Sequence, residues 1–312
     1  MAPIVDQVPV MAATTLPPAR THDAHVQTRT RGRRTYVRLK GGLGNQLFQF
    51  AAATNVRGVG AVRAIHPRTT AQLDLASTVT DLVVPWSRLD RIRLGEVLDS
   101  ATGWRRLARV ALTPVRRSVA RRTATSGSAL AQAFESPEEF CPQPLVLDGY
   151  FQHPDWFSSV ESDLLDRLVE AAPAEWAPDS TPVLHVRAGD YVHLGWNLEQ
   201  SYYQRALAHL GEPSRLRIVT DDPRAGSQIA AMCAREGWEV ASMPVLSNAL
   251  DDFWCLAGAQ RLVMSNSSFC WWAARLGDHR WEGTSPNRVV VAPEQWVLGH
   301  GQVLLHQTWL RA

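Results

Sequence analysis

A short motif near the middle of the chain combines a histidine, an arginine and an aspartate. His185, Arg187 and Asp190 lie within His185-Val-Arg-Ala-Gly-Asp-Tyr191, which begins inside the apolar run Val183–Val186. That run predicts a strand, and alternation along a strand places His185 and Arg187 on the same face. Arginine offers a fixed fork of donors that matches phosphate oxygens. The motif therefore favours a phosphate-ester site, and a buried His–Asp hydrogen bond with a structural ion pair is the alternative.

A glycine-rich turn stands nearer the start of the chain, in Gly41-Gly-Leu-Gly-Asn-Gln46. It falls between a predicted strand at Tyr36–Leu39 and a helix that begins near Asn45. Glycines allow close approach of a ligand to the main chain, and free amides at a helix start favour an anion. Leu47 occupies the third glycine position of G-x-G-x-x-G, which disfavours a dinucleotide oxidoreductase. A tight turn between strand and helix is the alternative.

Two carboxylates, Asp221 and Asp222, follow the predicted strand Leu216–Val219. They can accept hydrogen bonds from a ribose or from the edge of a base. Asp222 also precedes Pro223, a pattern typical of a helix N-cap, and the two roles are compatible. The chain contains no Asp-x-Asp triplet, so a metal-dependent way of holding a sugar diphosphate is disfavoured.

A fourth motif, Ser265-Asn-Ser-Ser-Phe-Cys-Trp-Trp272, spans a predicted junction between a strand and a helix. Asn266, Ser267 and Ser268 would stand where free helix amides point outward, which predicts a second anion site. A hydroxyl cap followed by aromatic packing is the alternative. Because Trp271 and Trp272 are adjacent, they cannot share one helix face, and we expect one of them in the core.

Strands alternate with helices along most of the chain, a pattern that predicts parallel sheets with ligands at the carboxyl ends of the strands. We expect two α/β lobes with a cleft between them, over residues 35–175 and 180–312. Residues 1–34 lack sustained periodicity, which predicts a disordered basic tail. A helical, arginine-rich insertion is expected at about 100–125, where seven arginines occur without an acid. A basic amphipathic helix pair can lie on an anionic membrane surface, and a solvated helical face is the alternative.

Composition excludes several classes of protein. The 312 residues carry 32 basic and 30 acidic side chains, a formal net charge of +2, which argues against nucleic-acid binding. Lys40 is the only lysine and is followed by Gly41, so a P-loop is impossible. No secretory signal and no apolar run of membrane-spanning length is found, and the four cysteines form no C-x-x-C pair. A cytoplasmic protein is expected, with peripheral contact at the inner face of the membrane as an option.

Taken together, the four motifs resemble the α-1,2-fucosyltransferase family, glycosyltransferase family 11, in their order and approximate spacing over residues 36–295. The resemblance implies a GT-B-type fold with two Rossmann-like lobes, the N-terminal one on the acceptor side and the C-terminal one binding the GDP-sugar. It implies inverting transfer of L-fucose from GDP-β-L-fucose to the 2-OH of a galactoside, with no metal and no cofactor. The acceptor would be a glycan or a lipid-linked oligosaccharide.

The resemblance also implies roles for individual residues. Arg187 resembles the arginine that binds the diphosphate, with His185 as its strand partner near the nucleotide. Asp190 is our candidate general base; orienting Arg187 and His185 is its rival role, and His193 is a third candidate. The remaining residues expected to contact the donor are Gly42, Gly44, Asn45, Asp221, Asp222, Asn266, Ser267 and Ser268. Acceptor contacts are expected in residues 70–140 and in the loop 192–199, where Trp196 can stack on a sugar face or pack.

One position departs from the family pattern. Where the family usually has His-x-Arg-Arg-Gly-Asp, Ala188 replaces the second arginine, which removes one cation from the expected diphosphate site. Either another arginine substitutes for it, or the donor is held more loosely, or activity is weakened. Two alternatives to fucosyl transfer therefore stay open: a transferase for another GDP-sugar, and a degenerate GDP-sugar-binding module with little turnover.

Overall fold

The structure is a computed structural model, and it describes residues 35–39, 41–57, 62–65, 146–147, 149–241, 249–282, 288–297 and 304–312. The predicted tail, the arginine-rich insertion and the region 70–140 lie outside these residues. So does Cys141, whereas Cys233, Cys255 and Cys270 are free thiols. Within the described part of the chain, no helix has the length and apolar character needed to cross a membrane.

The N-terminal part contains a small parallel sheet. Strand β1 (Thr35–Arg38) leads into helix α1 (Leu43–Arg57), followed by β2 (Val62–Ile65) and β3 (Val146–Leu147). The sheet order is β2-β1-β3, with both neighbours parallel to β1. A 3-10 turn at Pro154–Trp156 and helix α2 (Glu161–Glu170) complete this part.

The C-terminal part is built around a six-stranded parallel sheet of order β6-β5-β4-β7-β8-β9. Its strands are β4 (Val183–Val186), β5 (Arg215–Thr220), β6 (Glu239–Val240), β7 (Arg261–Val263), β8 (Val289–Ala292) and β9 (Leu310–Arg311). Its helices are α3 (Gly189–Leu194), α4 (Gln200–Leu207) with a 3-10 turn at Ala208–Leu210, α5 (Pro223–Arg235), α6 (Ala249–Gly258) and α7 (Ser268–Trp281). The α/β class with parallel sheets is confirmed.

Two elements differ from the sequence expectation. The segment expected to be a loop after β4 forms the short helix α3, which ends at Gly195 in the left-handed conformation with φ of 66°. None of its six residues is buried, so the apolar periodicity that signals a helix is absent. Strand β9 is only two residues long and pairs with β8 beyond the last predicted strand.

Helix α7 is the centre of the larger of two apolar clusters. It packs against α1, α2 and α6, and its sequence is apolar around most of its circumference. Trp271 and Trp272 are therefore both buried, at 3% and 0% exposure, and the expectation that one of them reaches the core is corrected to both. The second cluster lies on the other face of the large sheet, where α4 and α5 cover Leu184 and Val186.

Candidate functional site

A cleft of about 440 Å³ lies at the carboxyl ends of β4, β5 and β7, with the first turn of α1 on its border. Polar groups that follow several strands meet there, as the parallel topology requires. Ten of the residues expected to contact the donor or to act in catalysis line this cleft, whereas Asp222 and His193 do not: Gly42, Gly44, Asn45, His185, Arg187, Asp190, Asp221, Asn266, Ser267 and Ser268.

Arg187 is the one arginine or lysine among the described residues that line the cleft. Its Nη1 lies 2.7 Å from Asp221 Oδ2, and its Nη2 donates to Asp190 Oδ1 over 2.5 Å. The guanidinium also stands over the ring of Tyr191, with Cζ 5.1 Å from the ring centroid. The side chain keeps 31% of its surface exposed, so the cation is oriented yet still open to an anion.

Asp221 organises the start of α3. Its Oδ1 accepts the main-chain N–H of Ala188 over 2.9 Å, while Oδ2 faces Arg187. A Cβ at position 189 would overlap Oδ2 of Asp221, so a larger residue there would displace this carboxylate. Asp221 thereby positions the cation, because both its carboxylate oxygens are engaged by the protein.

His185 is buried, with 4% exposure, and its Nδ1 lies 2.7 Å from Ser265 Oγ. Burial, helped by the charge of Arg187, lowers the pKa of His185 to about 3. The ring is therefore a neutral hydrogen-bonding group at neutral pH. It does not add a second cation to the cleft.

Asp222 does not line the cleft, in contrast to the expectation that it contacts the donor. Its Oδ1 accepts the main-chain N–H groups of Arg224 and Ala225, at 2.8 and 3.1 Å, as the N-cap of α5. The helix start at Pro223 fixes this direction, because the cap must face its own first turn. His193, the third candidate base, does not line the cleft either.

The first turns of α1 and α7 meet at the border of the cleft. A Cβ at Gly44 would overlap the main chain of Ser268 and Phe269, so the two helix starts touch. Asn45 Oδ1 accepts hydrogen bonds from Ser268 Oγ at 2.8 Å and from Gln152 Nε2 at 2.9 Å. Two helix N-termini, each with amide N–H groups lacking helical partners, therefore open on the same space.

Asn266 connects the cleft to the segment after α3. Its Nδ2 donates to the main-chain oxygen of Trp196 over 2.8 Å, and Tyr191 Oη approaches the main-chain oxygen of Asn266 at 3.4 Å. Within the loop 192–199, Leu194 and Trp196 line the cleft but Val192 does not.

Asp252 is a cleft residue that the sequence reasoning missed. It lies in the first turn of α6, and burial together with the neighbouring Asp251 raises its pKa to about 6. Carboxylates in the first turn of a helix are common for dipole reasons alone, so the sequence carries no signal that separates Asp252 from an ordinary helix start.

The segment after β3 also supplies cleft residues that the sequence reasoning missed, Tyr150 and Gln152. Phe151 between them is buried and has a left-handed φ of 54°. This conformation costs a bulky residue about 1–3 kcal/mol. It lets the aromatic ring enter the core while Tyr150 and Gln152 reach the cleft.

No group of three or more His, Cys, Asp or Glu side chains in the described residues is arranged to hold a metal ion. The expected metal independence stays a prediction.

Comparisons with known proteins return partial similarities. No family model matches the chain. The chain is 21% identical over 141 residues to the O-antigen biosynthesis glycosyltransferase WbnK of Escherichia coli, covering 42% of this chain and 44% of that protein. The match thus spans less than half of the length of that relative.

Among solved structures, the chain is similar to the fucosyltransferase NodZ from Bradyrhizobium, with 15% sequence identity and a TM-score of 0.40. The match covers 78% of this chain and 94% of that chain. A structure of the NodZ α-1,6-fucosyltransferase co-crystallised with GDP gives 16% identity, coverage of 78% and 93%, and the same TM-score of 0.40.

Proposed function

We propose that this protein is an α-1,2-fucosyltransferase that moves L-fucose from GDP-β-L-fucose to the 2-OH of a galactoside, with inversion and without a metal ion. The observation that carries the proposal is the convergence of four motifs on one cleft. Asn45 and Ser268, from the first and last of these motifs, are 223 positions apart in the sequence and share a hydrogen bond. The E. coli relative, a glycosyltransferase by name, supports the same class of reaction.

In this proposal the donor diphosphate lies between Arg187 and the two helix N-termini. As the bond to the sugar breaks, negative charge grows on the departing phosphate. Arg187 and the main-chain amides near Gly42 and Ser267 then stabilise that charge electrostatically, the task that a divalent ion performs elsewhere. These groups are fixed before the reaction, because Asp221 and Asp190 orient Arg187.

The nucleoside is assigned to the side of the cleft formed by α6. Guanine presents adjacent N–H donors along one edge, and the carboxylate of Asp252 is an acceptor suited to them. His185 stands on the same face of the sheet as α6 and supplies a neutral ring whose Nδ1 is held by Ser265. With Asp222 turned toward α5, Asp252 replaces it as the acidic residue beside the base.

Asp190 is proposed as the general base that takes the proton of the acceptor hydroxyl. Its side chain is 63% exposed, and Oδ1 is bound by Arg187. The second oxygen, Oδ2, makes no hydrogen bond within the described residues and remains open to a substrate hydroxyl. One carboxylate can therefore orient the phosphate-binding arginine and accept a proton.

The full chain, incubated with GDP-fucose and lactose in EDTA, is expected to yield a trisaccharide with fucose linked α-1,2 to galactose. NMR of the product identifies the linkage that is formed. A parallel reaction with GDP-mannose in place of GDP-fucose tests whether the protein transfers another GDP-sugar. Slow release of GDP without a fucosylated product would support the GDP-sugar-binding module that Ala188 raised as an alternative. An absolute requirement for Mg²⁺ or Mn²⁺ would contradict the metal-free proposal.

A further inference from the structure

Ser265 carries a buried hydroxyl behind the cleft. It follows β7, which lies beside β4 in the large sheet, with Leu184 opposite Val263. The two strands end side by side, and Ser265 Oγ lies 2.7 Å from Nδ1 of His185. Ser265 has 0% of its surface exposed and does not line the cleft, whereas His185 does. A ligand in the cleft therefore reaches His185 but not Ser265.

The hydrogen bond between Ser265 and His185 has a direction. A hydroxyl has one hydrogen to donate, whereas each nitrogen of a neutral imidazole either donates or accepts. Within the part of the chain that the structure describes, the contact with Nδ1 is the one hydrogen bond of Ser265 Oγ. If Nδ1 carried the proton, the hydroxyl would accept it and its own hydrogen would be buried without an acceptor. Because a buried donor without a partner is costly, Ser265 donates and Nδ1 accepts.

The same direction places the ring proton of His185 on Nε2. Burial, together with Arg187, lowers the pKa of His185 to about 3, so the ring has a single N–H group at pH 7. Nε2 makes no hydrogen bond to the described residues, and it is not one of the polar atoms buried among them without a partner. Since His185 lines the cleft, Nε2 faces that space. The cleft thus contains an N–H donor that has no positive charge.

The Nε2–H group lies near the residues assigned to both parts of the nucleotide. Alternation along β4 places Arg187, assigned to the diphosphate, on the same face as His185. Phe269 connects the ring to α6, because its centroid is 6.1 Å from that of His185 and 5.5 Å from that of Phe253. Phe253 directly follows Asp252, the residue assigned to the base. An oxygen where the nucleoside joins the diphosphate is therefore the ligand atom that Nε2–H can reach.

We propose that Ser265 is a positioning residue that fixes His185 in its Nε2–H form, so that the ring donates to an oxygen of the nucleoside diphosphate. The inference rests on the proposed function, because it concerns the donor substrate of that reaction. The oxygen belongs to the ribose or to a phosphate group. A ring in the opposite form would turn a nitrogen lone pair toward this oxygen and would not donate to it.

Nitrogen-15 NMR of the full chain with labelled histidine measures the form of the ring directly, because a ring nitrogen without a proton resonates far from one that carries a proton. The variant His185→Gln identifies the His185 signals by their loss. In the ligand-free protein we expect Nδ1 without a proton and Nε2 with one, and the Nε2 signal should shift when GDP is added. A proton on Nδ1 in the ligand-free protein, or an Nε2 signal that GDP does not move, would overturn the proposal.

Ser265→Ala removes the hydroxyl without touching the ligand. It should raise the Kd for GDP about threefold to tenfold, as expected for the loss of one hydrogen bond, and it should move the Nδ1 signal toward that of a protonated nitrogen. Thr54→Val is the matched control. It removes a buried hydroxyl that makes no hydrogen bond within the described residues and does not line the cleft, so the Kd for GDP should not change. Equal effects of the two substitutions would contradict the proposal.

Guanosine, which lacks the diphosphate, separates the two sources of the oxygen. If Ser265→Ala weakens guanosine and GDP in equal proportion, the oxygen belongs to the ribose; if it weakens GDP alone, the oxygen belongs to a phosphate group, and either result supports the proposal. Fucosyl transfer by a protein whose Nδ1 carries the proton would overturn the inference and leave the proposed function standing. Absence of transfer, with the Nε2–H form and GDP binding both observed, would overturn the proposed function and leave the inference standing.

Discussion

Arg187 is held in place by two carboxylates of the protein itself. Asp221 and Asp190 each contact one end of its guanidinium, at 2.7 and 2.5 Å. Preorganised charge of this kind stabilises a transition state without the cost of reorienting dipoles during the reaction. The next residue, Ala188, adds no second cation, so Arg187 is the single arginine or lysine among the described residues of the cleft.

Asp190→Asn isolates the proton-accepting role. Asparagine keeps an oxygen for Arg187 but cannot accept a proton at neutral pH, so kcat should fall about 10²–10⁴-fold. The Kd for GDP, measured by calorimetry, should stay within about threefold of the parent. Parallel loss of GDP affinity and of kcat would make Asp190 an orienting residue only.

In the proposed site, Asp252 should make donor binding dependent on pH. Because its pKa is raised to about 6, the carboxyl ionises between pH 5 and 7, and only the ionised form accepts two donors. Affinity for GDP-fucose should therefore rise across this range. The diphosphate of GDP-fucose is esterified at both ends, so it does not titrate between pH 5 and 7. His185, with a pKa of about 3, also stays neutral in this range.

Asp252→Asn is expected to weaken binding at pH 7 and to remove the inflection near pH 6. The same raised pKa means that the folded state loses stability as pH climbs from about 4 to 6, and the variant should lose that slope as well. A binding profile of unchanged shape in the variant would remove Asp252 from the nucleoside site.

At the scale of elements, α1, which follows a strand of the small sheet, contacts α7, which follows a strand of the large sheet, beside the cleft. Gly44 is required there, since a methyl group would overlap the main chain of Ser268 and Phe269. Gly42, two residues earlier, has no atom within 4 Å of where its Cβ would be. Of these two glycines of one motif, Gly44 is therefore tightly packed, whereas Gly42 has open space where a side chain would lie.

Gly44→Ala should lower the free energy of unfolding by about 1–3 kcal/mol, as expected for overpacking, whereas Gly42→Ala should change it by less than about 0.5 kcal/mol. Chemical denaturation of both variants is the measurement. Equal effects would mean that the helix starts separate easily and that Gly44 has no packing role.

At the scale of the whole molecule, the cleft draws on both sheets, so a ligand there stabilises both parts together. GDP at about 100 times its Kd should add about 2.7 kcal/mol to the free energy of unfolding, seen as an increased Tm in EDTA. The described residues should unfold in one transition, since α1 and α2 pack on α7. A Tm shift that depends on added Mg²⁺ would contradict the role given to Arg187.

Much of this site follows from local pattern, because polar motifs placed after apolar strands must meet at one edge of a parallel sheet. His185, Arg187 and Ser267 are found in this way. The N-cap role of Asp222 is predicted by the following Pro223 and is confirmed. The pairing of Asp221 with Arg187 is not predictable, since it depends on how β4 and β5 lie side by side. Asp252 was missed because its environment is set by the packing of α6. The helix α3 was missed because its exposed residues show no apolar periodicity.

The contact between Gly44 and Ser268 has a mechanical consequence. Two helix starts that touch without a gap cannot slide past one another, so any opening of the cleft that keeps the Asn45–Ser268 hydrogen bond must rotate about this point. The contact then acts as a fulcrum. Groups beside it, including the main-chain amides at the first turns of α1 and α7, keep their spacing through such a rotation.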